Sequence, residues 1–521
     1  MQLDNASTIG VVEVPEYGLF DSNGKNWLGH SYQDNVLISK QVLLSSLRGE
    51  GFDAQLINLN QGDYVGEIGN LHWGDADFTK VYIGTKIEDV DASAHDAWGV
   101  TNNFSQNREI TCMTIRHLAG KGRPVVAGGS DVIADPQSYL AAGAAALVLD
   151  KSGSANGAVM DYVLGRQPRK ELAGVMLADS AEPVQRVRQP LSPEDWHVPD
   201  LSIAEQCLGL HYKGLPLPAQ GLRMGSIISD IGCDRSCDFC QTPTYRLGYR
   251  SMSPAKIAEW AAVQKEAGAW AVMLSSDQFL GRMLKKGGRR NVLEIMRNLR
   301  ESGLAFFWNN GIELRKMTLG RGSSKKDAVL LPDEELISSL MGWDGNVGCY
   351  FAYLPAERPV VGQENYKKLL PWREHCEIVK AIVRTGTAYI RYGLVIGFSD
   401  DSHETLSRLE DAVWGLYEEL AAINPSVNFQ VPPFSLSPIP GSRQSDQVRQ
   451  SGRLRFDDPN IFGSIWMTSV DTHHLTYREV FEWQKRLTRI GRSRYMEDGA
   501  AIQDDTQCAC PEEETMASEV I

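Results

Sequence analysis

The stretch Gly232-Cys233-Asp234-Arg235-Ser236-Cys237-Asp238-Phe239-Cys240 carries three cysteines at the spacing C-x3-C-x2-C. Upstream, residues 225–229 read as a short buried strand; downstream, Ser253-Pro254 opens an amphipathic helix. The cysteines therefore sit on a loop leaving a strand end, where α/β folds place their chemistry. Three thiolates this close can grip one metal centre and leave one position open. A structural zinc site wants four closed ligands, usually as two paired motifs. No second C-x2-C pair is present, and Cys508-Ala509-Cys510 has the wrong spacing.

The loop, with Phe239 just before the last cysteine, resembles the cluster loop of the radical S-adenosylmethionine (SAM) superfamily. The resemblance implies that Cys233, Cys237 and Cys240 bind a [4Fe-4S] cluster whose fourth iron chelates SAM. Such clusters otherwise carry four cysteines, so the missing ligand reads as a substrate position.

Composition sets outer bounds. The 521 residues allow about two to four domains. A hydrophobic share of 42% and a charged share of 23% are those of a globular protein. A net charge of -14 argues against a sequence-independent nucleic-acid binder. No apolar run approaches the roughly 20 residues of a membrane span. Met1-Gln2-Leu3-Asp4-Asn5 has neither a basic nor an apolar signal region, and nine cysteines in this length are not a disulfide scaffold. A cytoplasmic location is expected, because an exposed cluster needs reducing conditions.

Residues 1–170 alternate short apolar runs with helical periodicity. Strands are expected at 9–14, 54–59, 80–84, 124–130 and 145–150, and helices at 36–48, 109–119 and 136–142. This pattern predicts a Rossmann-like, doubly wound parallel sheet, with ligands at the C-terminal strand ends. The order is similar to the cobalamin (B12)-binding domain that precedes the barrel in one radical SAM class. The similar segments are Gly51 to Leu59, Val125 to Asp131 and Ala141 to Leu149. The resemblance implies that Gly128 and Gly129 lie against a corrin ring, since glycine admits close backbone approach. No D-x-H-x-x-G motif is present, so a histidine lower ligand is not indicated. The last strand ends in Asp150-Lys151-Ser152-Gly153-Ser154, where the relatives often carry a Gly-Glu-Gly-Glu-like turn. A degenerate domain that only shapes the substrate cleft is the other reading of this pattern.

Residues 171–220 form a proline-punctuated linker in which Trp196 and His197 read as packed residues. Residues 221–432 repeat β-α units, with strands expected at 225–229, 270–274, 305–309, 348–353, 388–397 and 426–431. Six units predict a partial (β/α)6 barrel, the radical SAM fold. Residues 433–495 read as a small α-rich C-terminal region, and 496–521 as a disordered acidic tail.

The strand ends supply candidate SAM contacts by the same resemblance. Asp277, with Gln278 beside it, would hold the amino group. Asn309 would bond ribose or carboxylate oxygens, with a plain Asn-Gly turn as the alternative. Glu357 stands where the family often has a ribose-binding glutamate, although Y-L-P-A-E-R departs from E-S-G. Arg391 would neutralise the carboxylate. Gly397 belongs to a segment, Gly393 to Asp400, similar to G-x-I-x-G-x-x-E. Two basic loops, at 285–290 and 315–326, could grip an anionic substrate or equally be solvated.

The expectation is a radical SAM enzyme that cleaves SAM to a 5′-deoxyadenosyl radical and performs cobalamin-dependent C-methylation. Its substrate would be a small molecule or peptide, and its electron donor a flavodoxin or ferredoxin. Cyclisation, ring contraction or other rearrangement without methyl transfer is the second reading. A non-catalytic metal-binding scaffold is the third.

Overall fold

The computed structural model describes residues 6–27, 34–169, 172–210, 215, 217–320, 330–362, 366–462 and 467–491. Its first sheet runs Asp53–Asn58, Thr8–Glu13, Ala97–Thr101, Val125–Gly128, Ala146–Val148, Val175–Leu177. The first five are parallel; the last is antiparallel to its neighbour and comes from the stretch expected to be linker. Alternation along the strands builds two cores. Ile9 and Val11 meet Leu44 and Leu47 of helix Ile38–Gly49 on one face. Val12 and Val100 meet Ile110, Ile115 and Leu118 of helix Arg108–Ala119 on the other. The sheet is doubly wound, as the pattern predicts.

One strand assignment is corrected. Residues 80–84 do not join this sheet. They end Ala76–Gly84, the centre of a separate antiparallel sheet with Glu16–Asp21 and Tyr64–Trp73. The third parallel strand is Ala97–Thr101, a run shortened by Gly99 and preceded by acidic turns.

The second sheet runs Arg223–Ile227, Ala269–Leu274, Ala305–Trp308, Gly348–Glu357, Tyr389–Ile396, Phe429–Gln430, all parallel. Helices Pro254–Glu266, Gly288–Glu301, Glu334–Met341, Trp372–Arg384 and His403–Ile423 cover its outside. The side chains of Ser253 and Ser402 cap two of them, accepting from Lys256 N and Thr405 N. The expected sixth strand is broken in two. Pro432 lacks an N–H, so pairing resumes at Pro433–Ser435 against Tyr389–Ile396. The final segment returns to the first domain. Ile461, Phe462 and Met467 pack into the core that holds Trp73, and Trp73 Nε1–H donates to Thr468 O at 2.8 Å. No described helix is long and apolar enough to cross a membrane. The expectation for residues 496–521, Cys508 and Cys510 included, lies outside the described residues.

A buried amide network joins the two sheets. Gln41 Nε2 donates to Ser226 O at 3.0 Å, and Gln264 Nε2 donates to Gln41 Oε1 at 2.7 Å. Gln264 Oε1 accepts from Ser226 N at 3.2 Å. Both glutamines are almost fully buried. Glycine at 225 is required, because a Cβ there would overlap Gln264 Oε1. Gln264→Ala leaves Ser226 N–H and Gln41 Oε1 unpaired, and urea denaturation should show a loss of about 2–4 kcal/mol.

Candidate functional site

The cysteine loop is closed at its base by a two-residue ribbon, Asp230–Ile231 against Arg250–Ser251. The sequence after the next two strands of the sheet then clamps it. Gly232 N–H donates to an Asp277 carboxylate oxygen at 2.7 Å. Asp230, fully buried, accepts from Gln278 N at 2.9 Å. Between the first two cysteines, Arg235 forms a two-pronged ion pair with Glu313, and Lys316 bridges Asp234 and Glu313. Gln278 Nε2 donates to the same Glu313 at 2.7 Å. On the far side, Arg443 donates to Ser236 O at 2.7 Å, Gln444 N to Asp238 O at 3.0 Å, and Tyr366 OH to Asp238 at 3.0 Å. Phe239 lies edge-on to Tyr366 and under the Lys368 ammonium, 5.4 Å from its ring centroid.

All three cysteines line one cavity of about 410 Å³ at the C-terminal end of the barrel. Arg235 N–H points at Cys233 Sγ over 3.4 Å, the one backbone donor that favours its thiolate. Burial pushes the Cys237 thiol up to about 11, with Lys368 opposing. Among the described residues no three His, Cys, Asp or Glu side chains converge as a mononuclear metal site. Glu357 ends the fourth barrel strand with φ 59°, a left-handed conformation unusual for a non-glycine residue. It pairs with Lys368 through one carboxylate oxygen, and burial raises its pKa. Its other oxygen, with Ser435 Oγ, Ser437 Oγ and Gln444 Oε1, is buried without a partner. All four residues line this cavity. Natively orphaned polar atoms call for a ligand or water, so the cavity is built for a polar guest.

A second cavity of about 620 Å³ lies between the two sheets. Gly128 and Gly129 form part of its wall. Gly129 has φ 115°, and a Cβ there would overlap Asn102 O. Lys40, paired with Glu13 at 2.7 Å, and Lys151 also line it. Asp277 and Asn310 line both cavities. Burial raises the Asp277 pKa, opposed by the Gly232 hydrogen bond and by Lys151.

The expected contacts divide accordingly. Cys233, Cys237, Cys240, Asp277, Gln278 and Glu357 surround the first cavity, and Gly128 and Gly129 the second. Asn309, Arg391 and Gly397 line neither. Asn309 bonds Ser275, and its neighbour Asn310 takes the shared wall. Arg391 sits deeper inside the barrel, bonded to Gln430 at 3.2 Å and 5.4 Å from the Phe351 ring centroid. Val395, four residues on, reaches the cavity instead. Gly397 N–H turns onto the Asp401 carboxylate at 2.8 Å. Glu313, Lys368, Ser435, Ser437 and Gln444 were not read from the sequence, and Lys316 only as part of the basic loop 315–326. Glu313, a lone acid between Ile312 and Leu314 four residues after a strand end, was the one with a local signal.

Solved structures share this architecture. OxsB, a cobalamin-dependent S-adenosylmethionine radical enzyme with aqua-cobalamin and S-adenosylmethionine bound, aligns at a TM-score of 0.64 and 13% identity over 92% of this chain. This chain spans about two thirds (66%) of OxsB's length. TsrM from Kitasatospora setae, a radical S-adenosylmethionine methyltransferase, aligns with tryptophan and a SAM analogue bound at 0.55 and 12% over 87% of this chain and 78% of TsrM. A TsrM structure with cobalamin and a [4Fe-4S] cluster aligns at 0.53 and 13%, covering 87% and 79%. No family model and no curated protein matches the sequence. The fold is that of the cobalamin-dependent radical SAM enzymes: a Rossmann-like sheet ahead of a partial barrel.

Two outcomes test the site's construction. Glu313→Ala strips the buried partner from Arg235 and should cost about 3–5 kcal/mol in urea denaturation. His375, buried beside the first cavity and bonded to Tyr392 OH at 2.6 Å, is pushed down to about 3 by burial. The unfolded chain binds its proton below about pH 6.5, and the folded chain only near 3. Stability is thus complete above 6.5 and lost as pH falls, by about 1.4 kcal/mol per pH unit from this group. His375→Gln should flatten that slope in denaturation curves compared at pH 7 and pH 5.

Proposed function

We propose that this protein is a cobalamin-dependent radical SAM enzyme that methylates an unactivated carbon. The observation that carries the reading is the shared wall. The three cysteines and the Gly128-Gly129 pair line different cavities, and Asp277 and Asn310 belong to both. A methyl donor in one can therefore face a substrate radical formed at the edge of the other.

The donor set fits the groups. Three thiols spread around one cavity, rather than drawn onto a single point, suit a multi-iron cluster better than one tetrahedral ion. The four orphaned polar atoms suit a nucleoside with hydroxyl, amino and carboxylate groups. The glycine backbone at 128–129 admits a flat macrocycle. When bound, these groups supply reductive cleavage of SAM and methyl transfer to a substrate carbon.

The chain's own work is placement. Cys233, Cys237 and Cys240 hold the cluster, and the Glu313 network fixes the loop between them. Asp277, oriented by Gly232 N–H, receives the SAM ammonium. Glu357 offers its free oxygen to a ribose hydroxyl, with Lys368 holding the other. The apolar wall of Leu314, Val395, Phe434 and Leu436 excludes water from the radical's path. A flavodoxin- or ferredoxin-type donor supplies the electron, and the cytoplasm the reducing conditions.

Anaerobic reconstitution with iron and sulfide should give charge-transfer absorbance and dithionite-dependent SAM cleavage. Replacing any of the three cysteines by alanine should abolish both. Corrin should stay with the protein through gel filtration, and the product should gain one methylene unit. Corrin retention with an unchanged product mass would move the assignment to rearrangement. No absorbance and no SAM cleavage would end the enzyme reading.

A further inference from the structure

The last parallel strand of the first sheet, Ala146–Val148, hands over to a tight turn built by Asp150. Its carboxylate accepts from the N–H and hydroxyl of both Ser152 and Ser154. The turn presents Lys151 to the inter-domain cavity. There Nζ donates to Asn103 Oδ1 at 3.1 Å and Ser130 Oγ at 2.9 Å, and lies 5.6 Å from the Tyr245 ring centroid. Every one of these partners is neutral.

The other two lysines lining the cavities each hold a carboxylate, Lys40 with Glu13 and Lys368 with Glu357. Lys151 has no ion pair among the described residues. Asp277 shares its cavity, but that carboxylate is engaged by Gly232 N–H. A largely buried ammonium whose direct partners are all neutral, with the Asp277 carboxylate near but not paired to it, costs free energy that an anion would recover. The cradle is preorganised as well. Asn103 Oδ1 also accepts from Ser130 N at 3.1 Å, so the two neutral partners brace each other.

We propose that Lys151 is an oxyanion-binding post of the inter-domain cavity, and that the ligand seated there brings a phosphate or carboxylate to its ammonium. The inference rests on the reading that this cavity holds a ligand. Two sources carry the chemistry: the phosphodiester of a cobalamin tail, or an acidic group of the substrate. An anion-bearing substrate docked on Lys151 would lie beside Asp277, at the wall common to both cavities.

The test uses the full chain as wild type, Lys151→Met and Lys151→Arg. Hydroxocobalamin and dicyanocobinamide, which lacks the phosphodiester, are each titrated by corrin absorbance. If the corrin tail supplies the anion, Lys151→Met weakens cobalamin binding about tenfold, the worth of one charge-assisted hydrogen bond. Lys151→Arg then retains it, and cobinamide binds all three proteins alike. If the substrate supplies the anion, both corrins bind all three alike, and inorganic phosphate protects Lys151 of the corrin-loaded wild type from acetic anhydride, read by peptide mass. Unchanged cobalamin binding together with no phosphate protection overturns the proposal. Wild-type protein that binds neither corrin defeats the cobalamin assignment instead, and phosphate protection of Lys151 in the corrin-free chain then decides the anion site alone.

Discussion

The amide network of Gln41, Ser226 and Gln264 is the constraint on which the site depends. Buried amides must be satisfied, and a satisfied amide has few geometries. Gln41 belongs to the first helix of the N-terminal sheet, Ser226 to the first barrel strand and Gln264 to the first barrel helix. Hydrophobic contact alone would let these surfaces slide. Hydrogen bonds of 2.7 to 3.2 Å do not. The strand so pinned is the one that leads into the cysteine loop, so the cavity between the sheets and the cavity under the cysteines are held in fixed relation.

Beyond that strand the chain relies on charge. Eighteen residues separate Ile231 from Arg250, too many for the small ribbon at their base to hold. Asp277, Glu313 and Tyr366 take over, each binding a different side of the loop. Desolvated carboxylates are costly, and here Asp277 is matched by Gly232 N–H and Glu313 by Arg235 and Lys316, while Tyr366 OH holds the loop's own Asp238. The result is a loop shaped by the protein before any metal arrives, with its thiols turned to one space.

Much of this was legible in the sequence because it is local. The cysteine spacing, the glycine pair and most strand-helix alternations depend on residues within a few positions of one another. What failed was of two kinds. Ala97–Thr101 is too short and too glycine-broken to signal a strand, whereas 80–84 carries the stronger β pattern although it belongs to a hairpin insertion. Side-chain depth was the other. Period-two alternation puts Arg391 and Val395 on the same barrel face, but it does not say which of the two reaches the rim. Asn309 and Asn310 differ in the same way. Glu313 and Lys368 became visible only when the loops they hold were folded together.

The return of the chain after the barrel bears on how the molecule is made. Ile461, Phe462 and Met467 complete the core around Trp73 and Phe78, and Thr468 accepts the Trp73 indole proton. During synthesis the N-terminal sheet thus leaves the ribosome long before its last wall exists. Its apolar face waits through the whole length of the barrel, a sequence separation of almost four hundred residues for the Trp73 bond. Contacts so distant form late and slowly. The N-terminal sheet is translated before the barrel and finished after it, and the barrel must take shape beside a partner that is still open.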